Sequence, residues 1–272
     1  MLKNITIGQY IPGDSFIHRL DPRTKINISL FYMIYLFFID KFTSFIPIYC
    51  YIFFVIYVCK IPFKLILKGI KNLTIIISIT VIFNVFLIPG ETLFEIFGFR
   101  ATVEGAKFAA FMVIRIIALV MGTSLLTLTT SPIQLTDGIE KLLKPFEKIK
   151  LPAHEISMMM TIALRFIPTL VEETDKIMKA QKARGANFEE GNIFKRAKAL
   201  VPILIPLFIS SFRRANDLAT AMEARLYRGG KGRSKFKIMQ YTRLDFVTYI
   251  SVFLFFLAIY SLNYMDFIVW RK

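Results

Sequence analysis

The chain has 272 residues, is 55% hydrophobic with 28 Phe, and carries 35 Lys or Arg against 19 Asp or Glu, a formal charge of +16. An ordinary soluble domain is roughly 45–50% apolar; the excess here lies in long runs, so these numbers exclude one or two soluble domains and point to a membrane protein. Cys50 and Cys59 stand in one run, about 13 Å apart along a helix, too far for a disulfide, and with only His18 and His154 beside them no metal-ligand spacing exists.

In chain order, residues 1–10 lack the apolar stretch of a secretory signal, so the first membrane helix is expected to direct insertion. Residues 42–59 and 73–90 are uncharged, 108–128 hold one charge, Arg115, and 246–265 hold none. Each reaches the roughly 18 residues that a ~30 Å hydrocarbon core requires. Residues 26–39 are shorter, but flanking residues can snorkel, so they count as a fifth span. Lysines and arginines gather in residues 1–25 (four), 60–72 (four, with no acid) and 129–242 (twenty, against eleven acids), while the alternate loops are poor in base. The positive-inside rule then puts the N-terminus and the long region 129–242 in the cytoplasm and Arg271-Lys272 outside. Pro89-Gly90, Gly98 and Gly105 read as turns of the larger outer loop.

Region 129–242 is too long for a plain connection. From Pro152 to Arg184 the chain reads as one helix about 50 Å long, with Met160, Ala163, Ile167, Leu170, Thr174 and Ile177 as its packing stripe. A bend is expected at Pro168, and Gly185 fits a left-handed stop. A second helix runs from about Ile193 to Arg228. Its uncharged stretch 199–212 has only 14 residues, which reads as a membrane-hugging helix rather than a span. The fold class is thus all-α and polytopic: about five transmembrane helices, with two long cytoplasmic helices between the fourth and fifth. The divisions are 1–128, 129–242 and 243–272.

The two internal helices close alike: Ala180-Gln181-Lys182-Ala183-Arg184-Gly185 and Ala221-Met222-Glu223-Ala224-Arg225-Leu226. Alanines three apart share a face and admit close approach, and a guanidinium at a helix end can bond a carboxylate through two parallel hydrogen bonds. The competing reading is that each Arg only complements the helix dipole.

The N-terminal run from Tyr10 to Lys25, with Pro12, Gly13, His18, Leu20, Asp21, Pro22 and Arg23, resembles the opening signature of the energy-coupling-factor transporter T component, the family that includes the Q subunits of cobalt importers. Ala183-Arg184-Gly185 resembles its first coupling motif. Ala224-Arg225-Leu226 resembles the second, which usually ends in a smaller residue than Leu226. The resemblance implies a non-catalytic coupling subunit of an importer for a vitamin or other micronutrient. Its partners would be two ABC-type ATPases, docked at the coupling motifs, and a substrate-binding membrane S component. It would lie in a prokaryotic cell membrane and need no cofactor, metal or nucleic acid. No GxxxxGK[ST] phosphate loop is present in the sequence, so nucleotide would bind elsewhere.

Asp21 and Arg23 are expected to tie the helix entrance to the coupling helices. Arg115 pairs with the substrate subunit, bonds backbone carbonyls of this chain or snorkels, and Asn84 is a conceivable partner. His154, Glu155 and Ser157 read as a polar helix start rather than a nucleophile set, because they do not share a face. An intramembrane enzyme would need converging acids, bases or ligands that the spans lack. A nucleic-acid binder would need a groove-reading motif, and an ordinary ABC permease would form the substrate path itself.

Overall fold

The structure, a computed structural model, describes residues 10–96, 99–149, 152–188, 192–229 and 239–269. Its helices are α1 Phe16–Arg19, α2 Pro22–Phe37, α3 Phe45–Cys59, α4 Phe63–Asn72, α5 Thr74–Leu87, α6 Val103–Thr129, α7 Pro132–Leu143, α8 Ala153–Ala183, α9 Ile193–Ala224 and α10 Arg243–Val269. Among the described residues the fold is all-α apart from one antiparallel hairpin between α5 and α6, β1 Thr92–Ile96 with β2 Phe99–Thr102. Two compact units emerge: residues 10–138 with 239–269, and residues 139–229.

The first unit begins where Asp21 accepts from the Arg23 N–H and Pro22 takes the first helical position, a start that asks nothing of the missing proline N–H. By length and composition, Phe42–Cys59, Val103–Thr129 and Arg243–Ser261 can each cross a membrane. A fourth crossing exists if α4 and α5, bent by 54° at Leu73, count as one broken span. Residues 60–72 read from the sequence as a basic loop, whereas Phe63–Asn72 form α4. Alternation of Lys64, Lys68 and Lys71 with Ile66 and Ile70 gives that segment one wet and one apolar face, and Ile66 is fully buried. At 16 residues, about 24 Å, α2 is shorter than a ~30 Å core.

The core of this unit is aliphatic, with Leu36, Ile39, Ile48, Ile52, Ile66 and Leu128 almost wholly enclosed. Tyrosine hydroxyls tie the helices together by donating to backbone carbonyls. Tyr32 Oη reaches Ala118 O at 2.7 Å, Tyr35 Oη reaches Phe256 O at 3.0 Å, and Tyr49 Oη reaches Ile114 O at 2.8 Å. An apolar interior leaves such hydroxyls few other partners. Gly122 of α6 makes the Tyr32 bond feasible, since a Cβ there would lie 2.1 Å from the Tyr32 ring. Gly105, expected in a turn, lies instead in the first turn of α6. Its N–H is capped by Thr102 Oγ1, and a Cβ would sit 2.6 Å from Asn84 O of α5. Its smallness serves packing, which sequence cannot separate from turn chemistry. Gly98 lies outside the described residues.

In the second unit, α8 and α9 pack on each other, with Ile162, Phe166 and Leu170 facing Ala215, Leu218, Ala219 and Met222. Of the expected stripe Leu170 is among these, Met160, Thr174 and Ile177 are half-buried, and Ala163 and Ile167 stay exposed. Apolar residues stand side by side along this stretch, so periodicity fits two neighbouring faces. The ion pair of Arg214 Nη2 with Glu173 Oε2, 3.0 Å, goes with the face that carries Phe166. The Ser210 hydroxyl and Arg214 hold the Glu173 carboxyl below its usual range. Neither α8 nor α9 is among the helices apolar enough to cross a membrane. Both continue through their prolines, Pro168 in one and Pro202 and Pro206 in the other.

Gly122→Ala should push the Tyr32 ring from its seat and break the bond to Ala118, costing roughly 1–3 kcal/mol for overpacking alone. A lowered thermal midpoint of the purified chain, partly restored by adding Tyr32→Leu, is the expected result.

Candidate functional site

Two groups of residues stand out, one in each unit. In the first, the N-terminal stretch folds over the start of α2. The Ile11 N–H donates to Leu128 O of α6 at 3.0 Å. His18 sits between Ser15 Oγ, 2.6 Å from Nδ1, and Ile11 O, 3.1 Å from Nε2. A neutral ring protonated at Nε2 satisfies both contacts, donating to the carbonyl and accepting from the hydroxyl. Burial lowers the His18 pKa, which favours that neutral form. Gly13 lies against this ring; a Cβ there would be 2.9 Å from His18 Cε1. Pro12 is exposed and Leu20 is buried.

Asp21 and Arg23 form an ion pair, with Arg23 Nη2 3.0 Å from Asp21 Oδ2. Their further partners among the described residues belong to the approach to α10, where the sequence suggested α8 and α9. The Asp21 N–H donates to Asp245 Oδ1 at 2.9 Å, Arg23 Nη2 donates to Met239 O at 3.4 Å, and the Arg23 guanidinium stacks 4.1 Å over the Tyr241 ring. Asp245 also accepts from the N–H and hydroxyl of Thr242, at 2.8 and 2.7 Å. Lys25 donates to His18 O at 3.2 Å and to Thr129 O, at the end of α6, at 3.0 Å. Asp245 and Lys25 escaped the sequence reading. For Asp245 a signal existed: Thr242-Arg243-Leu244-Asp245 has the spacing of a capping box. Nothing local marked Lys25, whose partner Thr129 is 104 residues away.

The second group comprises the ends of α8 and α9, which share one backbone geometry. At α8, Gly185 N–H donates to Lys182 O and Ala186 N–H to Gln181 O, both at 3.0 Å, and Gly185 has φ +85°. At α9, Leu226 N–H donates to Glu223 O at 2.8 Å and Tyr227 N–H to Met222 O at 3.0 Å, with Leu226 at φ +56°. Both are Schellman closures, in which backbone N–H groups satisfy the last carbonyls. In each, the arginine is the residue before the left-handed one. Ala183, Arg184 and Gly185 are exposed, and so are Ala224, Arg225 and Leu226. Among the described residues neither arginine side chain makes an internal hydrogen bond or ion pair. The second helix was expected to reach Arg228. It stops at Ala224 because Leu226 turns left-handed, a conformation a branched side chain rarely takes.

Arg115 is an internal anchor: Nη2 donates to Ile39 O at 2.6 Å, just past the end of α2, and the guanidinium lies 4.8 Å over the Phe111 ring. Asn84 bonds Thr80 O of its own helix. His154 is a bridge in the second unit, with Nδ1 3.3 Å from Glu140 Oε1 and Nε2 3.3 Å from Tyr227 Oη. Ser157 is buried and Glu155 exposed, so the three do not converge. No cluster of metal-ligating residues exists among the described residues.

The family model described as Cobalt transport protein, CbiQ, matches residues 13–238, which hold most of the entrance and both arginine-bearing ends. The chain is 58% identical over 250 residues to the energy-coupling factor transporter transmembrane protein EcfT of Clostridium kluyveri, covering 91% of this chain and 92% of that one. It is 56% identical to the EcfT protein of Thermosediminibacter oceani, covering 92% and 94%. With that of Bacillus subtilis it shares 43% over 253 residues, covering 93% and 96%. The chain belongs to the EcfT family. It is therefore a transmembrane component of an energy-coupling factor transporter, a prokaryotic multi-pass membrane protein. The role is that of a transporter subunit.

The left-handed position separates the two helix ends. Gly185→Leu should loosen the α8 end, since a branched residue there costs about 1–2 kcal/mol. Leu226→Gly should leave the α9 end as protected or better. Amide exchange at residues 181–186 and 222–227 reads both, and equal loosening by the two changes would contradict the assignment.

Proposed function

We propose that this EcfT-family chain is the coupling subunit of its transporter. It passes ATP-driven motion from two ABC-type ATPase subunits to a substrate-binding membrane S component, for uptake of a vitamin or other micronutrient. The observation that carries the reading is the pair of matching helix ends. At each end backbone N–H groups already bond two of the last carbonyls, so neither Arg184 nor Arg225 is needed for those bonds. Each presents an exposed planar fork beside small alanines, a form suited to a carboxylate in a partner's groove. The face of α9 with Leu200, Leu204, Phe208 and Phe212 is apolar and exposed, which suits contact with a membrane subunit or with lipid. The charge pattern supports a cytoplasmic N-terminus and a cytoplasmic region 129–242. In this reading α2 is a fifth span with snorkelling ends, and residues 230–238 lie outside the described residues. The ATPases hydrolyse the nucleotide, and this chain catalyses nothing.

In this arrangement, removing one arginine leaves a partner carboxylate unpaired and costs roughly 2–5 kcal/mol of binding, about 30-fold or more in affinity. Two contacts hold one ATPase pair, so avidity softens each single change. Arg184→Ala or Arg225→Ala alone should weaken ATP-driven uptake in vesicles. The double change should abolish uptake and release the ATPases during purification, while Lys195→Ala, a nearby base, should do neither. Normal assembly and uptake by the double variant would refute the proposal.

A further inference from the structure

Residues 60–72 carry four lysines and no acid. Three of them, Lys64, Lys68 and Lys71, stand at i, i+4 and i+7 of α4 and so form one row along the helix. All three are exposed, as is Lys60 just before the helix. None of the four has an acidic partner among the described residues. The opposite side of α4 is fixed to the bundle. Ile66 is fully buried, and a methyl at Gly69 would touch Ser124 and Val120 of α6 at 3.6 and 3.8 Å. Those two residues lie five and nine positions before Thr129, where α6 ends. So α4 runs beside the last turns of α6, then bends by 54° into the uncharged α5. Leu67 and Phe63, both exposed and apolar, flank the lysine row.

A helix with one side on the bundle, a cationic row on the other, and apolar residues at the row's edge is built for the plane where headgroups meet acyl chains. We propose that α4 is a lipid-reading helix whose lysine row holds anionic phospholipid headgroups. Charge complementarity selects the occupant: unpaired ammonium groups in a row, one turn apart, attract phosphate-bearing lipids that carry net negative charge over zwitterionic ones. Leu67 and Phe63 would enter the acyl region, which an acidic protein groove would not offer. Naming the leaflet as the cytoplasmic one rests on the orientation proposed above, but the binding itself does not.

Trp270 is the single tryptophan, so Leu67→Trp in a Trp270→Phe background puts one reporter on α4. The full chain, reconstituted in phosphatidylcholine vesicles, is quenched with brominated phosphatidylglycerol or brominated phosphatidylcholine. The expected preference for the anionic lipid is about fivefold or more, the value for one engaged lysine. It should fall close to one in Lys64→Gln/Lys68→Gln/Lys71→Gln. Should that variant fail to fold, the parent protein decides: about 1 M salt, where screening acts over ~3 Å, should remove the preference. Equal quenching by both lipids in the parent overturns the proposal, as does a preference that survives both lysine removal and salt. A row that instead docks an acidic protein would show no lipid preference and lose partner subunits on purification when neutralised, which overturns it too. Loss of the ATPase contacts through Arg184 and Arg225 would leave the quenching result unchanged, so the two proposals fail separately.

Discussion

A helix that ends in or near lipid has no water to satisfy its orphan N–H and C=O groups, and each one left bare costs free energy. Much of the polar chemistry in the first unit answers that constraint. Asp21 caps the start of α2, and Asp245 accepts from both the Asp21 N–H and the start of α10. Lys25 serves the last carbonyl of α6, and Arg115 serves the Ile39 carbonyl beyond the end of α2. These charged side chains are costly to bury, and their partners are helix termini rather than a substrate. The tyrosine hydroxyls extend the same logic to carbonyls along the helices. The entrance motif therefore reads as an assembly device that joins the N-terminal stretch, α2, α6 and α10.

The ends of α8 and α9 solve the same problem with backbone alone. Their Schellman closures bond the last carbonyls without a side chain, which leaves Arg184 and Arg225 available to something outside the chain. That difference gives the coupling proposal its physical content. An arginine needed for its own helix is a stability element, whereas an exposed one beside an already satisfied terminus is a contact waiting for a partner. The two ends differ in one respect. Gly185 takes the left-handed position without cost, and Leu226 takes it against its own preference while holding an apolar side chain 75% exposed.

Much of this was legible in the sequence because its signals are local. Long apolar runs marked three crossing helices, and Gly185 marked a left-handed stop. What failed to read was either tertiary or ambiguous in period. The Lys25–Thr129 and Asp21–Asp245 bonds join residues far apart in the chain, and no local pattern announces them. Ile162 with Phe166 and Ala163 with Ile167 fit neighbouring faces equally well, so only packing against α9 chose between them. A left-handed Leu226 runs against residue preference, so the α9 helix was carried four residues too far. Residues 60–72 were read by charge alone, which hid the amphipathic period of α4.

The claim at the centre of this account is that the α8 and α9 ends meet nucleotide-binding subunits directly. A photoreactive amino acid placed at position 183 or 224, both exposed and next to the arginines, tests it in native membranes of the producing cell. The account predicts adducts between this chain and ATPase subunits from both positions, lost when Arg184 and Arg225 are replaced by alanine. Adducts from neither position, or adducts with lipid alone, would contradict it.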